Sequence, residues 1–368
     1  MNVLFLTTHL NAGGITSYLL TLSKGMTERG VGVHIASGGG ARAADFSALG
    51  VHLLNLNIRA KSELDPRIYC VLPLLKRYIH RQEIDIIHAQ TRITQVMGLC
   101  LSKMTKRPFV STCHGFFKPR LSRRMFPCWG DAVVAISEAV QKHLRDDFQT
   151  ADERVSLIPS GIDIRMYAPV DHAVKRRMRL KYDLGAEPVV GIIARLSEVK
   201  GQDILIKAMK TVHEQIADAK LIIAGDGKTG PFLRKMVKEF KLEQSVLFCP
   251  STNKAAEVLS LLDVFVMPSR QEGLGISIME AQAAGVPVIA SRVGGIPSLI
   301  EEGRTGFLVG PEDPVALGQT ILMALRDPDR LARVAGAGRE SIRTNHPADL
   351  MVEKVLTLYK TTIPKARS

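Results

Sequence analysis

Short apolar runs alternate with longer segments of helical periodicity along the whole chain, and that alternation points to parallel sheets with crossover helices. The runs fall at residues 3–6, 31–35, 51–56, 84–87, 109–112, 133–136 and 155–158, then at 189–193, 221–224, 246–248, 264–267, 288–290 and 307–309. Each has strand length, and the gaps hold helical patterns such as residues 16–29, stopped by Gly30. The two sets are separated by residues 158–169, which begin Ile158-Pro159-Ser160-Gly161, and by a charged segment at 172–183. The expected architecture is α/β, with two Rossmann-like doubly wound domains at 1–168 and 169–347 facing a central cleft. Ligands of such sheets bind beyond the carboxyl ends of the strands. An amphipathic pattern at 348–368 predicts a helix that packs on a neighbouring domain, with a frayed end at 365–368.

Apolar residues make up 46% of the chain and charged residues 23%, a globular balance. No apolar run is long enough to span a bilayer, and the start runs directly into a strand pattern without the features of a signal peptide. Cys70, Cys100, Cys113, Cys128 and Cys249 are scattered, without metal-type pairing, which fits reduced cytosolic thiols. The net charge of +13 is uneven: no acid occurs from Ile86 to Gly130, where Arg92, Lys103, Lys106, Arg107, Lys118, Arg120, Arg123 and Arg124 all fall. Such a field attracts an anionic partner (nucleic acid, a phosphorylated substrate or acidic lipid) or serves as a solvated face that aids solubility.

Four stretches carry candidate chemistry. In Ser269-Arg270-Gln271-Glu272-Gly273-Leu274-Gly275-Ile276, a glycine turn follows the run at 264–267 and leads into a helical pattern that holds Glu280. Free N–H groups at such a helix start favour an anion or polar ligand, although acids also occur there simply to suit the helix dipole. Arg195 and Lys200 follow the run at 189–193 and suit a diphosphate leaving group, or form a solvated basic pair. Gly13-Gly14 follows the first run and opens a helix start to a phosphate. His114 follows the run at 109–112, placed either for a polar substrate or for a structural hydrogen bond. Gly225-Asp226-Gly227-Lys228-Thr229-Gly230 spells a dinucleotide-binding pattern, but Pro231 follows and no acid ends the next strand, so it is read as a loop at the cleft edge.

In order along the chain, these residues resemble the retaining glycosyltransferases of family 4, which have the GT-B architecture. Glu272 and Glu280 match the E-x7-E motif, and Arg195 with Lys200 the R-x4-K pair. Gly13-Gly14, His114-Gly115, Ile158-Pro159-Ser160-Gly161-Ile162-Asp163, Gly225-Asp226-Gly227, the segment 284–290 with Gly294-Gly295, and Thr305-Gly306-Phe307 match as well. Ser298 stands where the family commonly has Glu, and Thr16 where an acid is frequent; neither removes a group needed for transfer.

The resemblance implies a nucleotide-diphosphate sugar donor, no cofactor and no metal. Glu280 would hold the ribose, Arg195 and Lys200 the diphosphate, and Gly13 with Gly14 would approach the phosphates. Glu272 and the N–H groups of Gly273, Leu274, Gly275 and Ile276 would hold the sugar, and His114 would reach it from the first domain. Similar enzymes move a hexose with retention. The segment from Phe116 to Trp129 interleaves Lys118, Arg120, Arg123 and Arg124 with large apolar residues, which suits an anionic membrane surface. The expected protein is therefore cytoplasmic, peripheral on the inner face of the cytoplasmic membrane, and acts on a glycan or lipid-linked acceptor such as a lipopolysaccharide core. The rivals are a nucleotide-sugar 2-epimerase of the same fold, a catalytically dead sugar-binding scaffold, and a nucleic-acid-binding protein using the basic surface. The last lacks any nucleic-acid module.

Overall fold

The computed structural model describes residues 1–60, 62–251 and 255–364, and contains two parallel sheets. The first is built from β1 (Asn2–Leu6), β2 (Gly32–Ser37), β3 (His52–Asn55), β4 (Ile86–Ala89), β5 (Phe109–Cys113), β6 (Ala132–Ala135) and β7 (Val155–Leu157), in the order β3-β2-β1-β4-β5-β6-β7. The second holds β8 (Val189–Ile193), β9 (Lys220–Ala224), β10 (Val246–Cys249), β11 (Val264–Met267), β12 (Val288–Ser291) and β13 (Phe307–Val309), in the order β10-β9-β8-β11-β12-β13. All the ladders are parallel. Helices cover both faces of such sheets, which is why the central strands are continuous apolar runs: Val3 to Leu6 and Val264 to Met267 are fully buried.

The chain forms two compact units, Met1–Gly161 with Ala348–Ser368, and Ile162–Pro347. The division falls after Gly161 rather than after Ala168. Ile162 donates its N–H to the His346 carbonyl at 2.9 Å, and the turn Ile164–Tyr167 packs on the helix Ile276–Ala283, so this stretch belongs to the second unit.

Within the first unit, the helix Ala348–Thr362 packs on the helix Gly14–Thr27. A Cβ at Gly25 would lie 2.6 Å from Val352 Cγ2, so glycine permits the close approach. The buried Tyr359 hydroxyl sits 2.6 Å from His88 Nδ1, while His88 Nε2 lies 2.7 Å from Thr112 Oγ1. The end at 365–368, expected to fray, lies outside the described residues.

The charged segment at 172–183 is a working part of the second unit. It forms the helix His172–Leu180, whose buried Arg179 donates to the Leu261 carbonyl at 2.8 Å and to Asp263 at 2.6 Å. Asp263 also accepts from Lys175 and from the Val189 N–H, so one carboxylate joins the helix to the start of β8.

Candidate functional site

In each sheet the order of strands reverses direction at one place, and the loops leaving the two strands there diverge to open a crevice. In the second unit that place lies between β8 and β11. The loop after β8 carries Arg195 and Lys200, and the loop after β11 carries Glu272 to Ile276. The two strongest motifs therefore leave adjacent strands at the point where a doubly wound sheet binds its ligand.

The loops meet through an ion pair between Lys200 Nζ and Glu272 Oε2. Both side chains are mostly enclosed, at 22% and 12% exposure, so the attraction is less screened than in a surface pair. Close backbone contact permits this. Gly201 has φ +69°, and a Cβ there would lie 1.9 Å from the Pro268 carbonyl oxygen. In the turn after β11, Gly275 has φ +108° and caps the helix Ile276–Ala283 without a capping side chain, leaving the first helical N–H groups for a ligand. The Glu272 carbonyl accepts from the Gly295 N–H at 3.0 Å, which ties the turn to the loop after β12.

Glu280 lies inside that helix at 7% exposure and accepts a hydrogen bond from the Tyr167 hydroxyl at 2.8 Å. Sequence reasoning did not single out Tyr167. Its position in a turn-rich stretch gave no periodic signal, and only the packing of the Ile164–Tyr167 turn on the helix brings it to the carboxylate.

Arg195 is exposed, and its guanidinium makes no hydrogen bond or ion pair among the described residues. Its backbone is held firmly: the carbonyl accepts from Gln202 Nε2 at 3.0 Å, and the next N–H, of Leu196, donates to the Asp226 carbonyl at 3.0 Å. This explains Gly225-Asp226-Gly227. A Cβ at Gly227 would lie 2.0 Å from the Leu196 carbonyl oxygen, so the glycines let one loop lie flush against the other. Ser298 is exposed and donates to the Gly295 carbonyl at 2.7 Å.

In the first unit the reversal lies between β1 and β4. Gly13 and Gly14 follow β1 and are exposed at the start of the helix Gly14–Thr27, which has no capping side chain and no acid in its first turn. That leaves its positive end available to an anion. His114, just after β5, places Nε2 2.8 Å from Oε1 of Gln90, which follows β4, and packs edge-on against Tyr18 with ring centroids 4.9 Å apart. Burial pushes the imidazole down to about 3, so it is neutral at physiological pH. With Gln90 Oε1 accepting the Nε2 proton, Nδ1 keeps the lone pair and can accept from a hydroxyl.

The basic segment differs from expectation at Arg123. Lys118, Arg120 and Arg124 are exposed, but Arg123 is half-buried, with its guanidinium 3.6 Å from the centre of the Phe117 ring and also over Trp129 and Phe148. Burial, and then the charge of Arg92, lower it to about 10. Arg123 is thus an internal brace and not part of the cationic surface, because its stem and planar head suit an aromatic cage. Trp129 faces inward too, at 4% exposure. The apolar groups presented by this segment are Leu121, Met125 and Phe126, at 73%, 64% and 65% exposure.

Among the described residues, no helix is long and apolar enough to cross a membrane, and no group of three or more His, Cys, Asp or Glu is placed to hold a metal ion.

Residues 12–165 match the family model for Glycosyltransferase Family 4, and residues 175–341 match that for Glycosyl transferases group 1. The chain is 36% identical over 286 residues to the GDP-mannose-dependent alpha-(1-6)-phosphatidylinositol monomannoside mannosyltransferase of Mycolicibacterium smegmatis, covering 72% of this chain and 73% of that protein. It is 24% identical to the D-inositol 3-phosphate glycosyltransferase of Corynebacterium glutamicum, over 91% of this chain and 88% of that protein. Among solved structures, Anabaena HepE in complex with UDP-glucose aligns with a TM-score of 0.87 at 23% identity, covering 98% of this chain and all of that one.

Proposed function

Because the chain belongs to glycosyltransferase family 4 and has the GT-B fold, we propose that this glycosyltransferase moves a hexose from a nucleotide-diphosphate sugar to a lipid-linked acceptor, with retention and without a metal ion. The observation that carries this is the meeting of Lys200 and Glu272 at the reversal point of the second sheet, with Glu280 on the helix that follows.

The bond from the anomeric carbon to the diphosphate breaks as the acceptor oxygen attacks, and the acceptor proton passes to the leaving phosphate. Negative charge grows on the diphosphate as this happens. Fixed cations there stabilise the transition state more than the ground state. Arg195, solvent-facing on a rigid loop, and Lys200 supply that charge. Glu272 and the N–H groups of Gly273, Leu274, Gly275 and Ile276 hold the sugar, and Glu280 holds the ribose. In the first unit, Gly13 and Gly14 offer a helix start to phosphate, and the neutral His114 offers an acceptor to a hydroxyl.

A glycolipid acceptor is supported by the name of the mycobacterial relative and by the exposed Leu121, Met125 and Phe126 beside Lys118, Arg120 and Arg124. This mixture suits an anionic bilayer surface, where the protein would act as a peripheral enzyme on the cytoplasmic face. A lipopolysaccharide core is one acceptor of this type.

The test is a thermal-shift screen against GDP-mannose, GDP-glucose, UDP-glucose, UDP-galactose and UDP-N-acetylglucosamine. A donor raises the melting temperature by mass action, and Glu280→Ala erases that rise. No shift with any of the five counts against the proposal. Loss of transfer with chelator, restored by Mn²⁺ or Mg²⁺, refutes metal independence.

A further inference from the structure

We propose that Arg270 is a positioning residue that sets the spacing between Lys200 and Glu272 by tying the loops after β8, β11 and β13 to one guanidinium. Its Nη1 and Nη2 lie 2.9 and 2.8 Å from the two oxygens of Asp203, in the first turn of the helix Gln202–His213. Its Nε lies 2.8 Å from Glu312 Oε1 in the loop after β13, and Nη1 also donates to the Glu198 carbonyl at 2.7 Å. The Arg270 N–H donates to the Val199 carbonyl at 2.9 Å. The residue before Lys200 and the residue just ahead of Gln271-Glu272 are therefore held together through both backbone and side chain.

Only a guanidinium makes this arrangement. Its planar fork presents parallel donors to one carboxylate and keeps Nε for another, whereas an ammonium is a single point of charge. Burial opposes the charge on Asp203, yet the hydrogen bonds from Arg270 hold its carboxyl below the usual range, so the pair stays ionised through neutral pH. Nε, Nη1 and Nη2 of Arg270 are all engaged by these protein acceptors. A displacement of about 1 Å at a reacting group costs about a hundredfold in rate, so a residue that fixes Lys200 against Glu272 affects turnover without contacting the donor.

This rests on the reading of Lys200 and Glu272 as donor-binding groups, and two measurements separate the two claims. The first is amide hydrogen exchange in the free protein. Arg270→Met is expected to accelerate exchange in both 198–201 and 271–276 and to leave the first unit unchanged; unchanged exchange in both loops overturns the proposal whatever the donor. The second is steady-state transfer with GDP-mannose and with UDP-glucose. Arg270→Met is expected to lower kcat about 10- to 100-fold with the donor KM changed less than threefold. Arg270→Lys is expected to recover the melting temperature but not kcat, and the effect of Arg270→Met is expected to shrink below twofold in a Lys200→Met background. A wild-type kcat in Arg270→Met, or a loss that persists in full without Lys200, overturns the proposal. If exchange responds while wild type shows neither binding nor turnover of any nucleotide sugar, the tether stands and the donor reading falls.

Discussion

Lys200 and Glu272 are joined by an ion pair although they lie 72 positions apart, on loops that leave neighbouring strands. Each is the residue expected to touch a different part of the donor, Lys200 the diphosphate and Glu272 the sugar. Here they satisfy one another, so on the proposed reading donor binding exchanges one set of charge-assisted hydrogen bonds for another.

That exchange predicts an asymmetry between products and substrates. Glu272→Gln frees Lys200, so UDP and GDP are expected to bind at least as tightly as to wild type, while a nucleotide sugar binds about tenfold or more weakly. Calorimetric titration reads both. Equal weakening of the nucleotide and the nucleotide sugar would show that Glu272 does not meet the sugar. Lys200→Met is expected to lower kcat by about a hundredfold or more, as loss of an electrostatic donor to the leaving group does.

The Tyr167 hydroxyl donates a hydrogen bond to the Glu280 carboxylate. Hydrogen bonds to charged groups are worth roughly 1.5–3 kcal/mol. Tyr167→Phe is therefore expected to weaken donor binding about tenfold or more, and Glu280→Ala to weaken it further. Donor affinity unchanged in Tyr167→Phe would remove Tyr167 from the site.

At Gly227 a methyl group would meet the Leu196 carbonyl oxygen at 2.0 Å, and backbone cannot move aside as a side chain does. Gly227→Ala is expected to destabilise the second unit by about 1–3 kcal/mol, the usual cost of overpacking. Chemical denaturation measures the loss. Because the displaced backbone adjoins Arg195, kcat is expected to fall in whatever fraction remains folded.

The membrane reading now separates two sets of residues. Replacing Leu121, Met125 and Phe126 together with Ser is expected to reduce sedimentation with anionic vesicles while leaving the melting temperature unchanged, since all three are exposed. Arg123→Ala is expected to lower the melting temperature, because it empties the aromatic cage. Equal partition of wild type into neutral and anionic vesicles would count against docking by charge.

Buried and half-buried histidines contribute to the response to acid, His34, His88 and His114 most strongly and His213 in the same direction. Burial holds His88 and His114 down to about 3 and His34 down to about 4, with His114 adding to the effect at His88 and His52 to that at His34. An unfolded histidine titrates near 6.5. Between about pH 6.5 and pH 3–4 the unfolded chain binds protons that the folded chain refuses, so stability is complete above that window and is lost as pH falls through it. Each histidine contributes at most about 1.4 kcal/mol per pH unit there. Melting temperature against pH is expected to show this slope, and replacing His88 with Gln is expected to flatten it. No titration of His114 should appear in the rate profile between pH 5 and 8.

The strands were the most legible part of the fold. Each apolar run became a strand, and in the central strands both faces of the parallel sheet are covered, so burial is written into consecutive residues. The end of the first domain was less legible. Turn formers mark where regular structure stops, but the side to which residues 162–167 belong depends on what they touch. At Arg123 the basic segment was less legible for a related reason: net charge counts an arginine without saying whether an aromatic cage encloses it.

Architecture, the positions of the motif residues at the strand ends, and membership of the glycosyltransferase family were determined by the sequence alone, since periodicity and short motifs are local properties of the chain. The partners of those residues were decided only by the tertiary structure. Lys200 with Glu272, Tyr167 with Glu280, and Arg270 with Asp203 and Glu312 are pairs made by strand order and loop packing, and hydrogen-bond geometry between residues far apart in the chain leaves no mark on the pattern near either one.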